Sequence, residues 1–332
     1  MKTFDVVALG ELLVDFTENG ISVRGNPVLQ ANPGGAPCNV LSMLQNLGKK
    51  TAFIGKVGAD ALGQMLIQAV RNQGINTDNL LVDDTVHTTL AFVHTDKDGD
   101  RSFSFYRNPG ADMMLRWDEV HEDMLADTKI FHFGTLSMTD EHIEKVTKKA
   151  VEKAKSEDVL ISFDPNLRPP LWKNLEDAGR HMWYGISQCD ILKISDDEIA
   201  FLTGTDDIER GIEIILAKSH PTLVCATMGK NGSKAFYNGK SVFCEPFLRD
   251  DTIETTGAGD TFMACVLNAV LEKGLEALSE KDLFEMLQFA NAAASIVTTR
   301  KGALRVMPEH EETNEKDKYS NQSVKERKYD EQ

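Results

Sequence analysis

Short apolar segments alternate along the chain with segments whose hydrophobic residues recur every three or four positions. The apolar segments predict strands, and the periodic segments predict amphipathic helices. The predicted strands lie at 5–10, 51–58, 129–134, 159–164, 190–195 and 222–229. The predicted helices lie at about 37–47, 60–73, 139–156, 175–188, 196–203 and 207–218. Nearly continuous apolar strands separated by helices indicate an α/β fold with a mostly parallel sheet covered on both faces.

Two stretches depart from this pattern because polar and apolar residues alternate in them. Residues 21–32 are short and polar, and residues 88–107 form two alternating runs joined by a turn with Asp98-Gly99, a typical hairpin sequence. Because such strands fit poorly in a buried parallel sheet, we expect a small separate sheet reached from about the first and fourth core strands. It would cover a site at the carboxyl ends of the core strands. An ordinary surface hairpin explains the same residues.

Composition narrows the choice of partner. The 332 residues are 41% hydrophobic and carry a formal net charge of −16. This charge disfavours nucleic acid and membranes and favours a small molecule. Five scattered cysteines, no signal peptide and no apolar run of about 20 residues predict a reduced, cytoplasmic protein. After Pro308 the chain is almost entirely polar, so residues 309–332 are expected to form a charged tail on one domain of residues 1–308.

The segment ETTGAGDTF, residues 254–262, carries the clearest chemical signal. Gly257, Ala258 and Gly259 precede Asp260 where a helical pattern begins. The first N–H groups of a helix have no intrahelical partner, and glycines allow a ligand to approach them. The segment therefore predicts a phosphate site, although Asp260 by itself is equally explained as an acid that favours a helix start.

Other polar candidates stand at the ends of predicted strands. They are Asp15, the residues Gly34, Gly35 and Asn39 of NPGGAPCNV, Arg168 of DPNLRPPLW, Lys193 and Glu198 of ILKISDDE, and Thr227, Gly229 and Gly232 of TMGKNGS. Turns, caps and solvated side chains explain each one separately, yet all fall at one edge of a single sheet. The P-loop, the dinucleotide fingerprint and the zinc-protease, serine-hydrolase and protein-kinase motifs are absent.

Taken in order, these motifs resemble those of the PfkB-type, ribokinase-like carbohydrate kinases over about residues 4–308, and within them the fructokinases. ETTGAGDTF is similar to the carboxyl-terminal signature of that family and PGGAPCNV to its amino-terminal one. GELLVDF, FIGKVGADALG, LAFVHTDKDGDRSFSFYRNPGADMML, IFHFGTLS and DPNLRPPLW stand in the fructokinase order. The resemblance implies a three-layer α/β/α core with a β-sheet lid, strands at about 12–33 and 86–110, and a homodimer formed through the lid strands.

The resemblance also implies an activity: transfer of the ATP γ-phosphoryl group to O6 of D-fructose, with Mg²⁺. Asp260 would be the base, and the N–H groups of Gly257, Ala258, Gly259 and Asp260 would stabilise the transferred group. The sugar would be held by Asp15, Gly34, Gly35, Asn39, Phe105, Arg107 and Arg168. ATP would be held by Lys193, Thr227, Gly229, Gly232 and Asn291, and Glu198 would act through the water shell of the metal.

Two residues depart from the usual family pattern. Glu254 stands where the signature usually opens with Asp, near a monovalent-cation site in the family, so the motif does not predict activation by K⁺. Ser195 stands where the family often has Asn, which affects the network of metal-bound water. A 2-keto-3-deoxygluconate kinase and a non-catalytic sugar or nucleotide sensor stay as alternatives.

Overall fold

The computed structural model describes residues 2–95 and 101–314. Its strands are β1 (Phe4–Leu9), β2 (Leu13–Ile21), β3 (Pro27–Gly34), β4 (Thr51–Gly58), β5 (Asn76–Asp83), β6 (Leu90–Thr95), β7 (Arg101–Tyr106), β8 (Thr128–Gly134), β9 (Leu160–Asp164), β10 (Ile191–Ser195), β11 (Leu223–Thr227), β12 (Ser233–Tyr237) and β13 (Lys240–Cys244). Its α-helices are α1 (Ala36–Asn46), α2 (Ala61–Asn72), α3 (Glu122–Ala126), α4 (Glu141–Ser156), α5 (Leu175–Gln188), α6 (Asp196–Thr203), α7 (Ile208–Lys218), α8 (Ala258–Lys273) and α9 (Glu280–Val297).

The central sheet has the strand order β13-β12-β11-β10-β9-β8-β1-β4-β5. Every neighbouring pair from β11 to β5 is parallel, and the two antiparallel pairs, β11–β12 and β12–β13, lie at one edge. The predicted α/β fold with a mostly parallel sheet is confirmed. Parallel strands need crossover connections, and the helices between them supply these.

Helices cover both faces of the sheet because alternate residues of each strand point to opposite sides. Val6 and Ala8 of β1 belong to a core cluster with α1, α8 and α9. Val7 and Leu9 of the same strand belong to a second cluster with α4, α5 and α7. Truncating a fully buried aromatic residue of such a core costs about 3–5 kcal/mol. The three layers follow directly from this division.

A smaller sheet of strand order β3-β2-β6-β7 stands apart from the central one. The β2–β3 and β6–β7 pairs are antiparallel, and β2 pairs with β6 in parallel. The predicted separate sheet is confirmed. Its second half follows β5, which is the third core strand along the chain and not about the fourth. The predicted turn at Asp98-Gly99 lies outside the described residues.

Strand β5 and helices α3 and α9 were not predicted. Strand β5 has the sequence NTDNLLVD and lies at the edge of the sheet, so it lacks a continuous apolar run. Helix α9 was also missed, although Ser279 and Asp282 form a capping box at its start. The segment TMGKNGS lies in the turn between the antiparallel strands β11 and β12, and β13 then pairs with β12.

The polar segment after Pro308 begins in contact with the core. Arg300 forms an ion pair with Glu312, and Thr313 is buried. The division into a domain of residues 1–308 and a tail therefore stays a prediction, and 315–332 lie outside the described residues. Within the described part of the chain, no helix has the length and the apolar character needed to span a membrane.

Candidate active site

A cavity of about 530 Å³ lies between the central sheet and the smaller sheet. Residues from the ends of β1, β9 and β10, from β2, β3 and β7, and from the start of α8 line it. They include Glu11, Leu13, Asp15, Asn32, Gly35, Asn39, Phe105, Leu136, Asn166, Arg168, Lys193, Glu198, Glu254, Gly257, Gly259 and Asp260. We call this cavity the polar cavity. Its position at the carboxyl ends of the strands agrees with the sequence prediction.

A second cavity of about 720 Å³ adjoins the first. It includes Ser195, Asp196, Thr227, Gly229, Lys230, Gly232, Phe247, Leu248, Arg249, Thr252, Ala258, Phe262, Asn291 and Thr298. Lys193, Ser195, Thr255 and Gly259 line both cavities. The two cavities therefore meet at the start of α8. We call the second one the elongated cavity.

The start of α8 carries a glycine turn with no side-chain cap. Gly257 occupies the N-cap position with φ 79°, a left-handed conformation that favours glycine. A Cβ on Gly259 would lie 3.1 Å from Nζ of Lys193, so the backbone approaches an ammonium group. The helix dipole and this ammonium both favour an anion at the point where the two cavities meet.

Asp260 lies in the first turn of α8 with 8% of its surface exposed. Its Oδ2 accepts a hydrogen bond of 2.8 Å from Nδ2 of Asn39, and its Oδ1 accepts one of 3.4 Å from Nδ2 of Asn166. Burial raises the pKa of Asp260, while the hydrogen bond from Asn39 and the charges of Lys193 and Arg168 oppose that rise. A carboxyl group with a raised pKa is suited to accept a proton near neutral pH.

Lys193 projects from β10 into both cavities although it is almost fully buried. Its Nζ lies 3.2 Å from Oδ1 and 3.1 Å from Oδ2 of Asp164. Burial lowers the pKa of Lys193, but the carboxylates of Asp164 and Glu198 outweigh this and leave the pKa raised. Lys193 is therefore a fixed positive charge beneath the glycine turn.

Two acids lie against the NPGGAP turn: Glu11, which is buried directly after β1, and Asp15, which is half-buried on β2. Oε1 of Glu11 accepts a hydrogen bond of 2.7 Å from the N–H of Ala36, at the first turn of α1. A side chain on Gly34 would collide with Oδ2 of Asp15, and one on Gly35 would collide with the carbonyl oxygen of Glu11. Burial raises the pKa of both Glu11 and Asp15 to about 7. Both acids line the polar cavity, and sequence reasoning missed Glu11 although it directly follows Gly10 at the end of β1.

The predicted sugar residues are only partly brought together. Asp15, Gly35, Asn39, Phe105 and Arg168 line the polar cavity. Gly34 directly precedes Gly35 in the NPGGAP turn.

Arg107 is placed differently. Its Nε donates to Oδ2 of Asp112 at 2.8 Å, and its Nη2 donates to the carbonyl oxygen of Leu136 at 2.8 Å. The guanidinium thus lies behind Leu136, which lines the cavity, and does not line it itself. A direct contact of Arg107 with sugar stays a prediction.

The predicted nucleotide residues fall on the elongated cavity. Thr227, Gly229, Gly232 and Asn291 all line it. Asn291 is already engaged: its Oδ1 accepts from Ser233 Oγ at 2.9 Å, and its Nδ2 donates to the carbonyl oxygen of Glu245 at 3.0 Å. Asn291 therefore holds the loop that follows β13, and this loop brings Phe247 and Arg249 into the cavity wall. The sequence reading missed Phe247 and Arg249.

Glu198 connects the loop after β9 to the start of α6. Its Oε2 accepts from the N–H of Ser195 at 2.9 Å, and its Oε1 accepts from the N–H of Leu167 at 2.8 Å. Both oxygens keep further lone pairs that a metal-bound water can use. Among the described residues, no group of three His, Cys, Asp or Glu side chains could hold a metal ion directly. This donor set fits Mg²⁺, which binds through few protein ligands and keeps several waters beside substrate phosphates.

Glu254 lies at the other side of the turn, where it is buried. Its Oε1 accepts a hydrogen bond of 2.8 Å from the N–H of Gly302. Thr255, Thr256, Gly302 and Ala303 line the polar cavity beside it. The segment VTTRKGA, residues 297–303, is thus in contact with the position at which the sequence departs from the family signature.

Known proteins support the same family. The chain matches the pfkB family carbohydrate kinase over residues 3–310. It is 38% identical over 309 residues to probable fructokinase-4 of Arabidopsis thaliana, and this alignment covers 92% of this chain and 94% of that protein. The structure of fructokinase with bound ATP from Xylella fastidiosa superposes with a TM-score of 0.85 at 29% identity, over 93% of this chain and 97% of that one. The structure of fructokinase from Vibrio cholerae O395, in a form with fructose, ADP and calcium ion bound, superposes with a TM-score of 0.84 at 27% identity. The superposition covers 94% of this chain and 98% of that one.

The chain therefore belongs to the pfkB family of carbohydrate kinases. It is a sugar kinase with the ribokinase-like fold, and the resemblance to fructokinases that its motifs carry is confirmed.

Proposed function

We propose that this protein phosphorylates D-fructose at O6 with ATP, giving fructose 6-phosphate and ADP. The observation that carries the proposal is the position of Asp260, which lines the polar cavity directly after Gly259, a residue that lines both cavities. The polar cavity holds the sugar and the elongated cavity holds ATP. The names of the relatives support fructose as the acceptor.

The charges of the polar cavity favour a neutral sugar over a sugar acid. Glu11, Asp15, Glu254 and Asp260 contribute carboxyl groups to its wall, and Arg168 and Lys193 contribute the positive charges. Lys193 is paired with Asp164, so Arg168 is the cation of this wall that could meet a substrate carboxylate, against four carboxyl groups. Carboxyl groups accept hydrogen bonds from hydroxyl groups, which a hexose supplies in number. A keto-deoxy acid is therefore the weaker candidate.

In the proposed reaction, O6 of fructose attacks the γ-phosphorus of ATP while the bond from that phosphorus to the β,γ-bridging oxygen breaks. The proton of the O6 hydroxyl passes to the carboxylate of Asp260, and ADP leaves. The N–H groups of Gly257, Ala258, Gly259 and Asp260 and the ammonium of Lys193 stabilise the charge on the transferred group. When bound, Mg²⁺ would neutralise phosphate charge, and Glu198 would hold it through water.

The other assignments complete the two halves of the site. Asp15, Gly34, Gly35, Asn39, Phe105, Arg107 and Arg168 serve the sugar. Thr227, Gly229, Gly232 and Asn291 serve ATP. The small sheet closes over the sugar and excludes water, which would otherwise accept the phosphoryl group.

We also propose a homodimer formed through the small sheet, in the cytoplasm. Ile21, Val28 and Leu29 of β2 and β3 are exposed, with Ile21 at 76%, and a second copy would cover them. Five cysteines in the described part of the chain are buried and form no disulfide, as expected in a reducing compartment: Cys38, Cys189, Cys225, Cys244 and Cys265.

A panel of sugars with coupled detection of ADP tests the function. Fructose is expected to give the highest kcat/KM, with hexoses and 2-keto-3-deoxygluconate well below it. Dominance of the keto-deoxy acid would replace fructose with the alternative substrate. Binding of sugar and ATP with no turnover for any member of the panel would make the protein a sensor.

A further inference from the structure

Asn166 lies in the loop after β9, between Pro165 and Leu167, and its backbone is left-handed with φ 53°. Its Nδ2 donates to Oδ1 of Asp260 at 3.4 Å, while Asn39 donates to Oδ2 at 2.8 Å. Each oxygen of the carboxylate thus accepts a hydrogen bond from a different side-chain amide. Two donors from two separate elements fix the rotation of a carboxylate far better than one.

The backbone on both sides of Asn166 is fixed. The carbonyl oxygen of Pro165 accepts from the N–H of Thr135 at 3.2 Å and from its Oγ1 at 2.5 Å. On the other side, the N–H of Leu167 donates to Oε1 of Glu198 at 2.8 Å. Asn is among the residues that adopt a left-handed conformation at low cost. The loop conformation alone therefore explains an Asn or a Gly here, but it does not explain an amide directed at Asp260.

We infer that Asn166 is a positioning residue for Asp260: its amide holds the carboxylate in the orientation and the ionised form in which it takes the O6 proton. This inference rests on the proposed function and adds a residue that the family motifs did not single out in the sequence.

The charged groups around Asp260 determine the direction of the expected effect. Arg168 and Lys193 face it as cations, and the carboxyl groups of Asp15 and Asp164 face it from β2 and β9. A donor to a carboxylate stabilises its ionised form and lowers its pKa. Loss of the Asn166 amide therefore raises the pKa of Asp260, so a higher pH is needed to ionise the base.

The test compares pH profiles of kcat/KM for fructose. Asn166→Asp keeps the shape and replaces the donor with a second carboxylate, whereas Asn166→Gly removes the side chain and retains the left-handed backbone. The acidic limb of the profile is expected to move up by about one unit in the Asp variant and by less in the Gly variant. At neutral pH, kcat is expected to fall roughly 10- to 100-fold in the Asp variant.

Asn238 supplies the matched control. It also has a left-handed backbone, with φ 50°, but it is exposed in the turn between β12 and β13. Asn238→Asp and Asn238→Gly are expected to leave kcat and the pH profile unchanged. Equilibrium binding of ATP to every variant shows that the chain is folded.

Two results would overturn the inference. An unshifted acidic limb with unchanged kcat in both Asn166 variants would leave the residue with a backbone role alone. A rise in the KM for fructose with unchanged kcat and profile would make it a sugar-binding residue. The variant Asp260→Asn distinguishes failure of this inference from failure of the proposed function. If Asp260→Asn loses turnover while both Asn166 variants are unchanged, only this inference is overturned. Retained turnover in Asp260→Asn overturns the base assignment and this inference together.

Discussion

The ammonium group of Lys193 lies directly beside Gly259, 3.1 Å from the position that a Cβ on this glycine would occupy. The lysine comes from β10 and the glycine from the first turn of α8, so a strand and a helix place positive charge and free backbone N–H groups at one point. Asp164 holds the lysine from the neighbouring strand β9. This contact makes the glycine turn specific for an anion.

Gly259→Ala is expected to lower kcat roughly 10-fold, because the added methyl group displaces Nζ of Lys193 from the glycine turn. Affinities for fructose and ATP should change by less than about threefold, since the ground-state contacts remain. Single-turnover kinetics and equilibrium binding measure the two effects. Gly179→Ala in α5 is the control, because a Cβ on Gly179 would lie 3.7 Å from its nearest neighbour. It should leave kcat and both affinities unchanged. An unchanged kcat in Gly259→Ala would remove Lys193 from the phosphoryl site.

Arg168→Ala is expected to raise the KM for fructose at least about 10-fold, because a hydrogen bond from a charged donor is worth roughly 1.5–3 kcal/mol. The KM for ATP should change little, since Arg168 lines the polar cavity and not the elongated one. Initial rates with each substrate varied in turn give both values. Arg180→Ala, on the exposed surface of α5, should change neither. A larger effect on the KM for ATP would move Arg168 out of the sugar site.

Asp15→Asn is expected to stabilise the sugar-free protein more at pH 8 than at pH 5. Burial raises the pKa of Asp15 from its ordinary value to about 7, so the folded state holds this proton at pH 5 and loses it by pH 8. An acid with a raised folded pKa weakens the fold as the pH rises from its unfolded pKa through its folded pKa. At pH 8 the Tm should rise by about 2–4 °C.

The same variant should raise the KM for fructose about 10-fold or more, because a carboxyl acceptor is lost. Glu18→Gln, an exposed position on the same strand, controls for removal of a charge. Thermal unfolding at the two pH values, together with sugar kinetics, checks both expectations. A lower Tm at pH 8 would show that Asp15 stabilises the fold as an anion, against this account.

Turnover is expected to differ by less than about twofold between K⁺ and Na⁺ salts at equal ionic strength. Glu254 has one methylene more than the Asp usual in the family signature, and its Oε1 is engaged by the N–H of Gly302 at 2.8 Å. Glu254→Asp shortens the side chain by one methylene and moves the carboxylate away from the N–H of Gly302. This variant should therefore be activated by K⁺. Rates of the two proteins over a K⁺ titration test this. Strong activation of the unaltered protein would mean that Glu254 serves a cation site as Asp does.

The motifs with local causes were predicted correctly from the sequence. The glycine turn and the periodic residues after it predicted the start of α8, and the alternating segments predicted the small sheet. Strand β5 was missed because an edge strand needs no continuous apolar run, and its residues NTDNLLVD look like a loop. The local pattern carries no information on which edge a strand occupies.

The residues that depend on tertiary contact were not predicted. Asn166 stands 94 positions before Asp260, and only the fold brings its amide to the carboxylate. Glu11 was overlooked because its partner is a backbone N–H of α1, a group that every residue except proline has. Arg107 was assigned to the sugar from a motif that also contains Asp112, and only the structure shows that the two side chains pair.

The central claim is that Asp260 takes the proton of a fructose hydroxyl in transfer from ATP. Rapid-quench measurement of fructose 6-phosphate formed in one turnover, by the unaltered protein and by Asp260→Asn, tests it most directly. We expect the transfer rate of the variant to fall by about 10²- to 10⁴-fold, with affinities for fructose and ATP within about threefold of those of the unaltered protein. A transfer rate in Asp260→Asn within about threefold of that of the unaltered protein would contradict it.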